Sequence, residues 1–335
     1  MTDRSPSTRP LPDLGGRVVV LAGGLSHERD VSLRSGRRVS EALRHAGIEV
    51  EERDVDASLL GALRDDPPAC VFPVLHGETG EDGSLQEVLE LLEIPYVGST
   101  PTACRTAFDK PVAKAIVARH GLHTPRQAVL PAQTFREIGA AAVMEALLGR
   151  LGLPLVVKPV RGGSALGCEV VRREDELPGA MVHCFSYGPV ALVEQCVDGT
   201  EVAVAVIESG GRPQTLPAVE IRPDGGVYDY SARYTAGATE FVVPAALADT
   251  VSDACGQAAL SAHRALGLRD LSRSDLIVDP EGTVWFLEVN VAPGMTETSL
   301  LPLALEGSGR ELAELVHQWV SQAVARQASA AHARG

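Results

Sequence analysis

The chain has 335 residues, of which 45% are hydrophobic and 22% charged, a composition that excludes disorder of the whole chain and predicts two or three packed domains. A net charge of −14 without clustered Lys and Arg excludes a nucleic-acid-binding surface. No apolar stretch reaches the roughly 18–20 residues of a membrane-spanning helix, so no membrane partner is expected. The six cysteines show no CxxC spacing, which argues against a metal cluster or disulfide framework and fits a reducing cytoplasm.

The first part of the chain alternates apolar strands with helical patterns. Strands are predicted at 17–22, 48–55 and 70–75, and helices at 31–46 and 84–93. This alternation is typical of an α/β unit with a parallel sheet and covering helices. We expect a flexible tail over the polar residues 1–16 and a domain boundary at 98.

Two further units are predicted, and both are of the α+β type. Residues 99–193 are expected to hold helices at 101–120 and 135–151 and strands at 127–130, 155–159, 168–171 and 190–196. Residues 194–326 are expected to hold strands at 201–208, 216–222, 275–279 and 284–289, helices at 247–266 and 309–326, and a long loop at 228–240. Residues 327–335 are expected to form a frayed tail.

A glycine-rich loop follows Lys158 and joins two of the predicted strands. The loop, 162–167 (GGSALG), lets backbone N–H groups converge on phosphate oxygens, and Lys158 adds a point charge. The alternative is an ordinary glycine-rich hairpin; a Walker A loop is excluded because GK[ST] and a following helix are missing.

A second segment is either an interdomain linker or a source of groups that bind adenine and ribose. Its candidate residues are Glu194, Gln195, Val197 and Glu201.

A second cluster lies where an apolar strand ends in Glu288-x-Asn290. Strand periodicity places both side chains on one face, and Asp275 on the neighbouring predicted strand adds a third oxygen. Such ligands, with waters and substrate phosphates, suit Mg²⁺; a solvated strand face is the alternative. Arg273 either pairs with a carboxylate or stabilises an oxyanion.

The segment from Gly23 to Ser32 joins the first strand to the first helix. A helix N-terminus favours an anion, but two glycines without GxGxxG are weak support for a dinucleotide. Glu28 is suited to bind an ammonium, and N-capping by Asp30 or Ser26 is the alternative. His76 ends the third strand at the edge where open α/β sheets bind ligands, although a structural role is also open.

Lysine is rare in this chain, because only Lys110, Lys114 and Lys158 occur among the 30 basic residues. The other 27 are arginines. A lysine kept against such a background favours a role that needs a compact ammonium rather than a planar guanidinium. Chance survival is the alternative.

Taken in their order along the chain, the motifs resemble those of the D-alanine–D-alanine ligase family of the ATP-grasp superfamily. The resemblance covers 17–326 and rests on GGLSHERDVSLRSG, LHGETGEDGSLQ, FDK, VVKP with GGSALG, YDYSARY, SRSD and LEVNVAPGMTETSL. It implies a three-domain ATP-grasp fold, with 17–98 binding substrate and ATP held between 99–193 and 194–326. It also implies peptidoglycan precursor synthesis in the cytoplasm and a homodimer.

The resemblance implies a role for each matching residue. ATP contacts are implied at Lys110, Lys158, Gly163, Ser164, Glu194, Gln195, Val197, Glu201 and Arg233. Ligands of two Mg²⁺ (or Mn²⁺) ions are implied at Asp275, Glu288 and Asn290. D-Alanine contacts are implied at Glu28, His76, Arg273, Ser299 and Leu300. Arg273 and the Gly294 N–H match an oxyanion hole, and a hydrogen-bonded triad is implied at Glu28, Ser164 and Tyr234. Lys114 matches no functional position and is expected at the surface.

The implied reaction is phosphorylation of one D-alanine by ATP and attack on the acylphosphate by a second D-alanine. Three departures from the family pattern lie near the substrates: Arg233 replaces a lysine, Ala165 a serine and Thr298 a histidine. They leave open a different second substrate, such as D-serine, a hydroxy acid or an unusual amino acid. A non-catalytic ATP-grasp descendant and a nicotinamide-dependent oxidoreductase are further alternatives, and the missing GxGxxG speaks against the second.

Overall fold

The computed structural model describes residues 14–225, 228, 232–233, 235 and 237–334, and of 330–334 only the backbone. These residues form three sheets with helices packed against them. Within this part of the chain, no helix has both the length and the apolar character to cross a bilayer.

The N-terminal sheet has three parallel strands, as predicted. Strand β1 (Val18–Leu21) lies between β2 (Val50–Arg53) and β3 (Cys70–Pro73). Its continuous run VVVL is fully buried, because parallel strands are covered on both faces. The helices of this unit are α1 (Arg29–His45), α2 (Leu59–Asp65), α3 (Glu78–Glu81) and α4 (Ser84–Leu91). The sequence did not predict the two short helices, α2 and α3.

The second sheet is antiparallel and has the strand order β4-β7-β5-β6. The glycine-rich loop joins β5 to β6, as the sequence predicts. The predicted helix at 135–151 begins instead with one π-helical turn, Phe135–Gly139. The strands are β4 (Gln127–Pro131), β5 (Leu155–Pro159), β6 (Glu169–Val171) and β7 (Val190–Gln195), and the helices are α7 (Ala132–Thr134), α8 (Ala140–Leu151) and α9 (Leu177–Phe185), with a 3₁₀ turn at Glu174–Glu176.

The third sheet is also antiparallel, with the order β11-β10-β8-β12-β13 and β9 paired to β8. Its strands are β8 (Thr200–Ser209), β9 (Arg212–Thr215), β10 (Val219–Pro223), β11 (Thr239–Val242), β12 (Leu271–Val278) and β13 (Val284–Asn290). Its helices are α10 (Asp249–Ala265), α11 (Leu300–Gly307) and α12 (Leu312–Arg334). The sequence did not predict β9 or α11. It placed the start of β11 in the loop at 228–240, of which 229–231, 234 and 236 lie outside the described residues. Helix α12 continues to Arg334, into the segment for which a frayed tail was predicted.

The single helix predicted at 101–120 is two helices, α5 (Pro101–Phe108) and α6 (Lys110–Arg119). Asp109 has an extended backbone between them, and its carboxylate accepts a hydrogen bond from the Val112 N–H at 3.3 Å. This N-cap, with Pro111 in the first turn, starts a new helix. The break makes Lys110 the first residue of α6.

The N-terminal sheet is packed firmly against the C-terminal part of the chain. The rings of Phe72 and Trp319 lie 6.4 Å apart in one continuous apolar cluster. The fully buried carboxylate of Asp270 accepts two hydrogen bonds from Arg326 and one from the Gly98 N–H, each 2.7 Å long. These contacts fix the position of the first unit relative to the third sheet.

Candidate active site

Two adjoining cavities contain most of the predicted site residues. One, of about 450 Å³, lies between the second and third sheets, and the other, of about 420 Å³, lies beside the N-terminal sheet. Both are lined by Lys110, Gly163, Arg233 and Glu288, so they form one cleft with two compartments.

Lys110 and Lys158 bring two cations to the larger cavity from different elements. The Lys110 Nζ donates to the Gly162 carbonyl oxygen at 2.7 Å and lies 3.4 Å from Glu288 Oε2. The Lys158 Nζ lies 2.5 Å from Glu194 Oε1. Burial alone would lower the pKa of Lys158, but the carboxylates of Glu194 and Glu288 raise it above its ordinary value. Both lysines therefore offer positive charge beside the glycine loop, where phosphates can bind.

The same cavity is also lined by the residues expected to contact adenine and ribose: Glu194, Gln195, Val197 and Glu201. The Gln195 side chain donates to the Leu151 carbonyl oxygen and its backbone N–H donates to the Arg126 carbonyl oxygen, each at 2.9 Å, so neither of these donors is available to a ligand. Burial raises the pKa of Glu201 to about 7. Apolar side chains complete the walls, namely Val156, Ile277 and Leu287.

The oxygen ligands predicted for metal ions lie on two paired strands. Asp275 is opposite Glu288, and Arg273 is opposite Asn290, with a bulge after Asp275. Arg273 forms two hydrogen bonds to Asp275, of 2.7 and 2.8 Å. Burial would raise the pKa of Glu288, but the cations Lys110, Lys158, Arg233 and Arg273 lower it to about 2. Glu288 is therefore ionised, as a metal ligand must be.

The chemistry of these donors fits Mg²⁺ bound together with phosphate. Among the described residues, no three His, Cys, Asp or Glu side chains converge into a metal-binding group. Two carboxylates and the Asn290 amide are too few to enclose an ion. They suit Mg²⁺, which usually keeps waters and takes further ligands from substrate phosphates.

The smaller cavity holds the first group of predicted substrate contacts. The Ser164 hydroxyl donates to Glu28 Oε1, which links the glycine loop to the N-terminal unit. Ser164 adopts a positive φ of 52°, so the loop turns sharply there. Tyr234, the third member of the predicted triad, lies outside the described residues.

His76 lines the same cavity and has a defined tautomer. Its Nδ1 is 3.0 Å from the Ala292 carbonyl oxygen, and a carbonyl can only accept, so Nδ1 carries the hydrogen. Burial lowers the pKa of His76, which leaves Nε2 as an acceptor. Nε2 is buried and has no hydrogen-bond partner among the described residues. It is suited to accept a hydrogen bond from a substrate ammonium.

Gly294, Ser299 and Leu300 form the remaining wall of the smaller cavity, together with Thr298. Ser299 is the N-cap of α11, and its hydroxyl accepts from the Thr296 N–H at 3.1 Å. A Cβ on Gly294 would lie 2.7 Å from the Ser299 Oγ. Position 294 therefore needs a glycine if its backbone and Ser299 are both to face a ligand.

Arg233 lies where the two compartments meet, and its guanidinium stacks on Tyr228. The guanidinium carbon is 4.2 Å from the ring centroid, and Nε donates to the Tyr228 carbonyl oxygen at 3.4 Å. Tyr228 is the first residue of the YDYSARY motif, and no role was predicted for it from the sequence. Tyr228 lines both cavities.

The expectation that Lys114 lies at the surface is wrong. Lys114 is 1% exposed, and its ammonium is hydrogen-bonded to Glu194 Oε2. The signal was available, because residues four apart lie on the same face of a helix and Lys110 faces the cleft.

Glu81 was also missed. It lies within the LHGETGEDGSLQ motif, lines the smaller cavity and accepts from the Gly77 N–H at 2.9 Å. Burial and the nearby Glu28 carboxylate raise its pKa to about 8. No local sequence pattern marks a carboxyl group that is buried by distant residues.

Comparisons with known proteins point to one family. Family models described as D-ala D-ala ligase N-terminus and C-terminus match residues 49–99 and 116–321. The D-alanine–D-alanine ligase of Pelotomaculum thermopropionicum is 39% identical over 308 residues, which are 92% of this chain and 96% of the relative.

Solved structures of ligases of this kind are also similar to the chain. A D-Ala:D-Ser ligase from Enterococcus faecalis is 27% identical, with a TM-score of 0.78 over 92% of this chain and 99% of that one. The D-alanine–D-alanine ligase of Bacillus anthracis complexed with ATP is 26% identical, with a TM-score of 0.77 over 94% of this chain and 99% of that one.

Proposed function

The chain belongs to the D-alanine–D-alanine ligase family of ATP-dependent ligases, and from this premise we propose that it joins two D-alanines in the cleft described above. The observation that carries the proposal is the junction of the two compartments. Lys110, Arg233 and Glu288 line both of them, so a nucleotide phosphate and a bound amino acid can meet there. The family acts in peptidoglycan precursor synthesis, and we assign the chain that role.

In the first step, a carboxylate oxygen of one D-alanine attacks the γ-phosphorus of ATP, and ADP leaves. The glycine loop and the lysines hold the phosphates, while Glu28 and the neutral His76 bind the substrate ammonium. Bringing the carboxylate and phosphate together is the main contribution of the protein, because it replaces a collision in solution by a fixed approach. Arg233 is placed to bind the transferred phosphoryl group.

In the second step, the amine of another D-alanine attacks the acyl carbon, and phosphate leaves with the former carboxylate oxygen. Arg273 and the Gly294 N–H are placed to stabilise the negative oxygen that develops. Ser299 and the N-terminus of α11 are placed to bind the carboxylate of the second substrate. The attacking ammonium must first lose a proton, so the rate should rise with pH toward the pKa of that amine.

Two Mg²⁺ ions are part of the proposal, with Asp275, Glu288 and Asn290 as the protein ligands. When bound, they would neutralise phosphate charge during transfer. Glu288 is placed to hold an ion beside Lys110, and Asp275 must share its carboxylate with Arg273. A homodimer and a cytoplasmic location stay predictions from the family resemblance.

A product analysis with competing second substrates tests the proposal. The enzyme is given Mg·ATP, D-alanine, and an equal concentration of D-serine or D-lactate near neutral pH, and the products are weighed. We expect D-alanyl-D-alanine to predominate, since the curated relative carries the name D-alanine–D-alanine ligase. A preponderance of D-alanyl-D-lactate or D-alanyl-D-serine would contradict this. It would show that the enzyme prefers a different second substrate, and Arg233 and Thr298 would be the residues to which that preference is attributed. The absence of phosphate release with any amino acid would favour a non-catalytic descendant.

A further inference from the structure

All three lysines of the chain converge on one buried region beside the larger cavity. Lys110 and Lys114 lie one turn apart on α6, and Lys158 lies on β5. Glu194 on β7 is 2% exposed and receives an ammonium on each of its oxygens, Lys114 on Oε2 and Lys158 on Oε1. The remaining 27 basic residues are arginines, so lysine occurs only in this region.

The register of the second sheet explains why Glu194 and Lys158 meet. Glu194 is directly opposite Val156, and Lys158 is two residues further along β5. Side chains two apart on a strand share a face, so Lys158 and Glu194 are diagonal neighbours. Lys114 reaches Glu194 from α6, on the other side of the carboxylate.

Lys114 does not itself face a ligand. It is absent from the described residues that line the larger cavity, whereas Lys110, Lys158 and Glu194 all line it. Burial and the Lys158 ammonium lower the pKa of Lys114 to about 8, even though Glu194 opposes this shift. A buried cation held near another cation is costly, so some compensating role is expected.

Lys114 and Lys158 share the carboxylate of Glu194. Lys114 is hydrogen-bonded to Oε2, and the carboxylate oxygen nearest to the Lys158 ammonium is the other one, Oε1. An ammonium has three donors, and within the described part of the chain Glu194 is the ion-pair partner of Lys158, so donors remain that can face the cavity. Without Lys114, both oxygens of a fully ionised carboxylate would turn to Lys158 and draw its charge away from the phosphates.

We propose that Lys114 is a positioning residue for nucleotide binding, which acts through Glu194 to keep the Lys158 ammonium available to ATP phosphates. The inference rests on the proposed function in one respect, that ATP binds in the larger cavity. A planar guanidinium at position 114 would be too large for the enclosed site, which accounts for a lysine there in a chain that otherwise uses arginine.

The test compares K114M, E194Q and the double variant K114M/E194Q with an exposed control on the same helix, R119M. Calorimetry measures the affinities for ADP and for inorganic pyrophosphate, and steady-state assays measure KM for ATP and for D-alanine. We expect K114M to weaken ADP binding and raise KM for ATP roughly tenfold or more, with KM for D-alanine unchanged within about twofold. Adding E194Q should recover about threefold or more of the affinity that K114M loses for inorganic pyrophosphate, because the competing carboxylate is gone and pyrophosphate has no adenine to contact Glu194.

Nucleotide affinity in K114M equal to that of R119M would overturn the proposal, and so would a double variant that binds pyrophosphate no better than K114M. If K114M fails to fold by thermal unfolding, E194Q and the double variant carry the test. Their ADP affinities should agree within about twofold, since Lys114 acts only through Glu194, and a further loss of roughly tenfold would refute this. A wild-type enzyme that binds ADP but releases no phosphate with D-alanine would refute the proposed function and not this inference.

Discussion

Replacing Glu288 by glutamine should slow Mg²⁺-dependent phosphate release but tighten the binding of metal-free ADP. Glu288 lies 3.4 Å from the Lys110 Nζ and lines both compartments of the cleft. Glutamine keeps the size of the side chain but removes its charge. The expected metal loses a carboxylate ligand, so Mg²⁺-dependent phosphate release should fall roughly 100-fold or more. Nucleotide phosphates lose a repelling neighbour, so metal-free ADP should bind more tightly.

The size of the second effect follows from Coulomb's law. One phosphate charge about 5 Å from the carboxylate is repelled by about 3 kcal/mol at an effective dielectric constant of about 20, and by about 1 kcal/mol in bulk water. Removing the repulsion should therefore tighten metal-free ADP binding by roughly 5- to 150-fold. The lower figure applies if water enters the cleft freely, because Glu288 keeps 29% of its side-chain surface exposed.

Calorimetry with ADP in EDTA and a phosphate-release assay with excess Mg²⁺ measure the two quantities. E281Q is the matched control, since Glu281 is an exposed glutamate at the turn between β12 and β13. Unchanged or weaker ADP binding by E288Q in EDTA would refute the charge argument. Turnover equal to that of E281Q at saturating Mg²⁺ would show that Glu288 is not a metal ligand.

Three further substitutions test separate parts of the cleft. K158R should raise KM for ATP roughly tenfold although the charge is kept, because a planar guanidinium does not fit against Glu194; a wild-type KM would show that the site accepts it. Gly294→Ala should lower kcat roughly 100-fold, because its Cβ would lie 2.7 Å from the Ser299 Oγ, whereas Gly149→Ala, in open space, should leave kcat unchanged. In nucleotide-free protein, E81Q should become more stable than wild type as pH rises from 5 to 9. The pKa of Glu81 is raised from 4.5 to about 8 by folding. Its contribution to the free energy of unfolding is therefore fully present below pH 4.5 and is lost as the pH rises past about 8, and the loss is at most roughly 5 kcal/mol. Urea unfolding at both pH values checks this, and a difference independent of pH would contradict it.

Features set by neighbours in the sequence were predictable. The apolar run of β1 gave the parallel sheet, and the period of two along β13 placed Glu288 and Asn290 on one face. The glycine loop between β5 and β6 followed from two apolar strands that flank it. In each case one short segment carries the whole signal.

Features set by distant residues were not predictable in the same way. Strand β12 begins four residues before the predicted start, because its polar Ser272 and Ser274 are buried by pairing with β8. Strands β9 and β11 exist as partners of β8 and β10, and their own sequences carry little apolar pattern. Glu81 acquires its raised pKa only after the fold has closed around it.

Lys114 shows where a local rule was available and was not applied. The spacing of four residues from Lys110 places it on the cleft-facing side of α6, once Asp109 has started that helix. What the spacing does not contain is the partner, since Glu194 lies 80 positions further along the chain. The composition, with three lysines against 27 arginines, was the stronger indication.

The central claim, that ATP activates one D-alanine as an acylphosphate for attack by the second, can be tested by following an oxygen atom. D-Alanine labelled with ¹⁸O in its carboxylate is incubated with the enzyme and Mg·ATP, and the released phosphate and the dipeptide are weighed by mass spectrometry. The account predicts one phosphate carrying one ¹⁸O for each D-alanyl-D-alanine formed, with ADP as the nucleotide product. Unlabelled phosphate, or AMP in place of ADP, would contradict it.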